Sequence, residues 1–295
     1  MNISCFGASV TQQKNGYVDF LSKKFNTPIK KHGYGGNHLF PCGVTKINEV
    51  LEQNPNVCFI DWFSTGYLYM NAEVTEALNT FKYMFSRNNC KLIFLFFPHQ
   101  DHENRIIFYL FLKKYLIENG LHFIDLNDYL TYSKEIIRDS VHTTVYGSEK
   151  YSEIIYTEFN KIKDKIKIPT NIVKNKYCDI KELNINKIFF KNIKLKGKCE
   201  IVTCEIFIGP NSGYIGLGNN EQRLLWDIYC HYKRPDSHHL RNILVDGDCT
   251  FEILQNEVDR SKCRRPEYDF SNIKFELDIK TIYYIGADLE FIDGN

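Results

Sequence analysis

Four short apolar runs, each followed by a segment with helical spacing, occupy residues 3 to 159 and restrict the possible folds more than any other feature. The runs ISCF (Ile3–Phe6), VCFIDWF (Val57–Phe63), KLIFLFF (Lys91–Phe97) and LHFIDL (Leu121–Leu126) have the length and the β-branched and aromatic content of strands. TPIKKHGY (Thr27–Tyr34) is a weaker fifth strand. Between them, apolar residues recur at helical spacing: Tyr17, Phe20, Leu21 and Phe25; Val44, Ile47, Val50 and Leu51; Leu78, Phe81 and Met84; and Ile106 to Ile117, ended by Asn119-Gly120. Strands alternating with helices of this length predict a parallel sheet covered on both faces, a three-layer α/β/α unit.

The second half has a different period. After KIPTN (Lys167–Asn171), stretches such as KCEIVTCEIFIG (Lys198–Gly209), CTFEIL (Cys249–Leu254) and IKFELDIKTIYYIGADLEFI (Ile273–Ile292) alternate polar and apolar residues, with Gly, Asn, Asp and Pro clusters between them. They predict a smaller antiparallel β-rich domain, sandwich or jelly-roll-like. The expected division is a catalytic-type α/β domain over 1–166 and a β-rich domain over 170–295.

Composition excludes several function classes. With 43% hydrophobic residues in 295 the chain can bury a sizeable core. Thirty-seven Lys plus Arg against 36 Asp plus Glu leave a net charge of +1, which gives no general attraction to nucleic acid or anionic membrane. The lysines of KIKDKIKIPTNIVKNK (Lys161–Lys176) are interleaved with Ile and Asp and read as a solvated helix face running into a linker. No run approaches the ~18 apolar residues of a membrane span, and the start of the chain lacks the pattern of a secretory signal, so a cytoplasmic protein is expected.

Ten cysteines without a C-x-x-C pair suggest free buried thiols rather than disulfides or a zinc site, and neither a metal nor a cofactor is expected. Cys230, His231, His238 and His239 lie close in sequence without ligand spacing. Cys230 and His231, as neighbours on a strand, would point to opposite faces and cannot form a thiol–imidazole pair.

Chemistry concentrates at two places. In CFGASVTQQ (Cys5–Gln13), Ser9 falls just past the end of the first strand, where open α/β sheets bind ligands, with a helix expected from about Asn15-Gly16. A serine nucleophile needs a base, and the base needs a partner that fixes its tautomer. RDSVHTTVYGSEKYSEII (Arg138–Ile155) offers both: Asp139 precedes His142 by three residues, so one turn can place both side chains together. The amphipathic helix after it, with Tyr151, Ile154, Ile155 and Phe159 on one face, would pin that loop to the sheet. The bland alternatives are a turn or helix-capping serine and a structural His–Asp pair. A second D-x-x-H, Asp236 to His239, lacks the strand, loop and helix context. His99 and His102 in FFPHQDHENR follow a strand end and could line the pocket, but such residues are more often loop surface, so they stay outside the expected site.

The two segments together resemble the SGNH or GDSL-like hydrolases over roughly residues 2 to 160. GASVT resembles that family's first block, which implies Ser9 as nucleophile, although Ala8 stands where the family usually has Asp. DSVHTTVYG resembles the last block, which implies Asp139 and His142 as its partners. The resemblance implies a flavodoxin-like α/β/α fold and an oxyanion hole made by the amides of Ser9 and Gly36, the latter in HGYGGNHL. The family's block-three Asn falls at Thr65, whose hydroxyl has one donor and a shorter reach; Thr65, Ser64 or Asn37 could take its place. The activity implied is hydrolysis of small acyl esters, such as acetyl on a carbohydrate.

A sugar hydroxyl in place of water would make the same site an O-acyltransferase, and a silent site would leave a glycan-binding protein. Aromatic and charged residues in WDIYCHYKRPDSHHLRN (Trp226–Asn242), His231 and Arg234 among them, suit an acidic glycan. A buried strand followed by a charged loop would show the same composition.

Overall fold

The computed structural model describes residues 1–209, 211–219, 223–228, 237–239, 243–254 and 274–292. Two compact units result, Met1–Cys178 and Asp179–Asn295. The residues after the last helix of the first unit stay with it: the Asn175 amide donates to Glu76, its side-chain oxygen accepts from Thr80, and Tyr177 packs edge-on against Phe40.

The first unit carries five parallel strands, β1 (Ile3–Gly7), β2 (Lys30–Gly33), β3 (Val57–Asp61), β4 (Lys91–Phe96) and β5 (His122–Asp125), in the order β2-β1-β3-β4-β5. Six helices accompany them: α1 (Ser9–Gln12), α2 (Tyr17–Phe25), α3 (Ile47–Leu51), α4 (Ala72–Arg87), α5 (His102–Glu118) and α6 (Val145–Ile162). The expected three-layer α/β/α architecture is present.

Strand periodicity divides the core in two. Ile3, Cys5, Val57, Phe59, Ile93 and Leu95 face one side and meet Tyr17, Leu21, Tyr151, Ile155 and Phe159 from α2 and α6. On the other side Phe6 stacks on Phe81 of α4, and Phe96 meets Tyr109 of α5 edge-on. Burying each such ring contributes ~1.5–3 kcal/mol, and both layers require the apolar runs to have no exposed face. β2, at the sheet edge, is only partly buried, which is why KKHG carries so weak a strand signal. The helix expected from about Asn15-Gly16 is α2, which Gly16 caps; the single turn α1, starting at Ser9 itself, had no signal in the sequence.

In the second unit, β6 (Lys181–Phe189), β7 (Ile193–Phe207), β8 (Tyr214–Gly218), β9 (Arg223–Asp227), β10 (Ser237–His239), β11 (Ile243–Leu254) and β12 (Leu277–Ile292) form one antiparallel sheet in the order β6-β12-β7-β11-β8-β9, with β10 also pairing β7. Register shifts in β12 at Ile279/Thr281, Tyr283/Tyr284 and Gly286/Leu289 mark bulges of the kind that bend long strands. β7 alternates buried and exposed residues at its start and is then buried on both sides from Ile201 to Ile206. Its Glu205, 2% exposed, is held by the Tyr283 hydroxyl (2.8 Å) and the Lys280 ammonium (3.0 Å), so the buried charge is compensated.

Candidate active site

The first strand ends against β3 so closely that Gly7 has no room for a side chain: a Cβ there would lie 2.1 Å from the Asp61 carbonyl oxygen. The Ala8 amide donates to that same oxygen at 2.8 Å. The chain therefore turns sharply after Gly7 and presents Ser9 at the first position of α1.

On the opposite wall, the loop between Ile136 and Thr144 is closed by an Ile137–Thr143 bridge and by the Arg138 amide donating to the His142 carbonyl at 2.9 Å. Thr144 caps α6 by accepting from the Gly147 amide at 2.9 Å. The Gln13 side-chain amide, donating to the Thr143 carbonyl at 2.9 Å, ties the serine turn to this loop.

These constraints bring three of the expected residues into one chain of hydrogen bonds. Ser9 Oγ lies 2.8 Å from His142 Nε2, and His142 Nδ1 lies 2.9 Å from Asp139 Oδ2 and 3.1 Å from Oδ1. Asp139 also accepts the amides of Val141 (3.0 Å) and His142 (2.8 Å). Burial works to raise the Asp139 carboxyl, but those two amides together with the His142 ring hold it below the usual aspartate range. A carboxylate that stays ionised there keeps the proton on Nδ1 and leaves Nε2 free to accept from the serine.

Gly36 lies on the loop after β2 with φ +73°, a left-handed conformation suited to glycine. The Gln12 side chain fixes this loop by accepting the Gly35 amide at 3.0 Å. Neither the Ser9 nor the Gly36 amide finds an acceptor among the described residues. Asn37 is buried, and its side-chain amide donates to the Gly35 carbonyl at 3.2 Å. The Thr65 hydroxyl reaches the same loop, where its proton goes to the Asn37 carbonyl at 3.1 Å. The Ser64 side chain is buried against Asp61. His231, Arg234, Cys230 and Asp236 lie outside the described residues. No group of three or more His, Cys, Asp or Glu side chains among the described residues is arranged to hold a metal ion, and no helix among them is long and apolar enough to cross a membrane.

Sequence reasoning missed two residues here. Asp61, at the end of β3 beneath the serine turn, is wholly buried; its Oδ2 accepts the Thr11 amide (3.1 Å) and the Thr11 hydroxyl (3.0 Å), while Oδ1 has no hydrogen-bond partner. Burial pushes this carboxyl up to about 7, opposed by the Ser64 hydroxyl, which is near but outside hydrogen-bonding geometry, and by Thr11. The only signal was an acid inside the otherwise apolar run VCFIDWF. His99, read as loop surface, is 6% exposed.

The likeness to solved structures is one of fold: an α/β/α unit followed by an antiparallel β unit. In particular, the whole chain is similar to a two-domain esterase (CEX) active on acetylated mannans, with a TM-score of 0.65 at 12% identity, covering 98% of this chain and 91% of that one. The same esterase co-crystallised with mannopentaose matches equally, with a TM-score of 0.65. A lipase/acylhydrolase from Enterococcus faecalis matches 58% of this chain over its whole length, with 20% identity and a TM-score of 0.44. No protein-family profile matches the chain, and no curated protein matches it in sequence.

Proposed function

We propose that the protein is a serine esterase that removes small acyl groups, acetyl foremost, from a carbohydrate. The observation that carries this reading is the continuous path from Ser9 Oγ through His142 to Asp139, with contacts of 2.8 and 2.9 Å. Ser9 Oγ attacks the acyl carbon while its proton passes to His142 Nε2. The charge that develops on the carbonyl oxygen is met by the amides of Ser9 and Gly36, both directed to no protein acceptor among the described residues. Collapse of the tetrahedral intermediate breaks the ester C–O bond, and the sugar oxygen leaves with the proton from His142. Water then attacks the acyl-enzyme, gives a proton to His142, and the carboxylic acid departs as Ser9 regains its hydrogen. Thr65 serves this site by tying down the Gly36–Asn37 loop, because its hydroxyl hydrogen is already given to Asn37.

The choice of acetyl and of carbohydrate rests on the whole-chain likeness to an esterase active on acetylated mannans. Intact mass after incubation with a fluorophosphonate tests the nucleophile. One adduct is expected on the wild type, none on Ser9→Ala, and slower labelling of His142→Ala; labelling that persists in Ser9→Ala would refute the assignment.

A further inference from the structure

At the carboxyl ends of β4 and β5 lies a cleft of about 450 Å³, within the range of about 300–1,000 Å³ common for ligand pockets. Its walls come from the segment His99–Asn104 and from Asn127, Leu130, Thr131 and Tyr132. Two hydrogen bonds fasten these walls to the loop that carries Asp139 and His142: the Gln100 amide donates to the Ser140 carbonyl at 2.9 Å, and the Tyr132 hydroxyl donates to the Asp139 carbonyl at 3.0 Å. The cleft therefore borders the loop of the proposed base on a side that the hydrolytic mechanism leaves unused.

His99 is the informative residue. The residue is 6% exposed, and its Nδ1 accepts the Asp101 amide at 2.9 Å. A neutral imidazole with an occupied Nδ1 lone pair carries its hydrogen on Nε2, and the only hydrogen bond of this ring among the described residues is the one at Nδ1. Burial, and then the Arg105 guanidinium, lower the His99 pKa to about 4, so the ring remains neutral through the range in which a serine–histidine pair works. Nearby, the Nδ1 of His102 is buried without a partner. The cleft is therefore lined by two ring nitrogens that meet no protein partner among the described residues, the accessible Nε2 of His99 and the wholly buried Nδ1 of His102.

The lining selects the chemistry of the occupant. Carboxylates of Asp101 and Glu103 and the amides of Gln100, Asn104 and Asn127 surround it, and no Lys or Arg does. An anionic sugar would meet two like charges, whereas neutral hydroxyl groups can both donate to the carboxylates and accept from His99. Leu130 and the Tyr132 ring supply the apolar surface on which the C–H face of a sugar ring packs. We infer that this cleft is a subsite for a neutral, hydroxyl-rich sugar unit, with the His99 Nε2–H as its donor. This deepens the proposed esterase reading by naming where the carbohydrate is held and which kind it is.

The test is calorimetric binding of neutral pentasaccharides of glucose, xylose and mannose, and of pentagalacturonate, to the full chain carrying Ser9→Ala. Binding does not need the nucleophile, and fluorophosphonate labelling does not need the cleft, so the two readings can fail separately. At least one neutral pentasaccharide is expected to bind in preference to the uronate. His99→Phe, which keeps the ring and removes the donor, should weaken it about tenfold, and Thr131→Trp, which fills the cleft, should abolish it. Absence of neutral-sugar binding, preference for the uronate, or binding unchanged in whichever of the two variants folds would overturn the inference.

Discussion

Replacing Asp61 by Asn should stabilise the first unit at neutral and alkaline pH while doing little in acid. The carboxyl is wholly buried and its pKa is raised from 3.8 to about 7. Between those values the folded protein holds a proton that the unfolded chain has released, so stability falls as pH rises; above about 7 both states are ionised and the loss stops growing. At ~1.4 kcal/mol per pH step the full cost reaches ~4 kcal/mol.

Asn keeps the shape and stays neutral throughout. Its oxygen can accept from the Thr11 amide and hydroxyl, as Oδ2 does now, and its NH2 would occupy the position of the unpartnered Oδ1, beside the equally unpartnered Ser64 hydroxyl. Urea unfolding followed by fluorescence of the buried Trp62, in a Trp226→Phe background to remove the other tryptophan, reports on this unit. The stability of Asp61→Asn relative to Asp61 should rise by roughly 3 kcal/mol between pH 4.5 and pH 8. A difference that stays flat with pH, or wild type gaining on the variant as pH rises, would refute the argument.

Two further outcomes follow from the same region. Thr65→Val removes a hydrogen bond to the Asn37 carbonyl and should lower turnover less than about tenfold, as a modest loosening of the loop; a drop of about 10²–10³ would show that the hydroxyl is itself an oxyanion donor. Gly7→Ala forces a methyl to within 2.1 Å of the Asp61 carbonyl and should cost about 1–3 kcal/mol or more in the Trp62-monitored unfolding, with loss of fluorophosphonate labelling. Unchanged labelling in that variant would show that the serine turn tolerates displacement.

The parallel sheet was legible because the inner strands β1, β3 and β4 are buried on both faces and hence almost continuously apolar, while the edge strand β5 is partly buried. The order of the serine turn and the Asp139–His142 loop was legible too, since a three-residue spacing before a capped helix constrains geometry locally. What stayed hidden depends on contacts between distant segments. The apolar run Ile106–Ile117 predicts a helix but not its inner face: Ile107, Leu110, Phe111 and Ile117 are exposed, whereas Arg105 is buried and donates to the Phe63 carbonyl at 3.2 Å. Asp61 was concealed inside a strand pattern, and His99 inside a polar loop whose burial comes from segments later in the chain. Thr65 has the position expected of an oxyanion residue, yet its hydrogen-bond acceptor, Asn37, is 28 residues earlier and had no local signature.

The contact between Ser9 and His142 spans 133 residues. At ~5–20 residues added per second, a growing chain carries the serine for roughly ten seconds before the histidine has even been joined, and longer before α6 can fix the loop that holds it. Throughout that interval the hydroxyl has no base and is chemically ordinary. On the proposed mechanism, reactivity at Ser9 is thus a clock on assembly: labelling of stalled chains of increasing length would date the moment at which the first unit closes, with no need for any substrate.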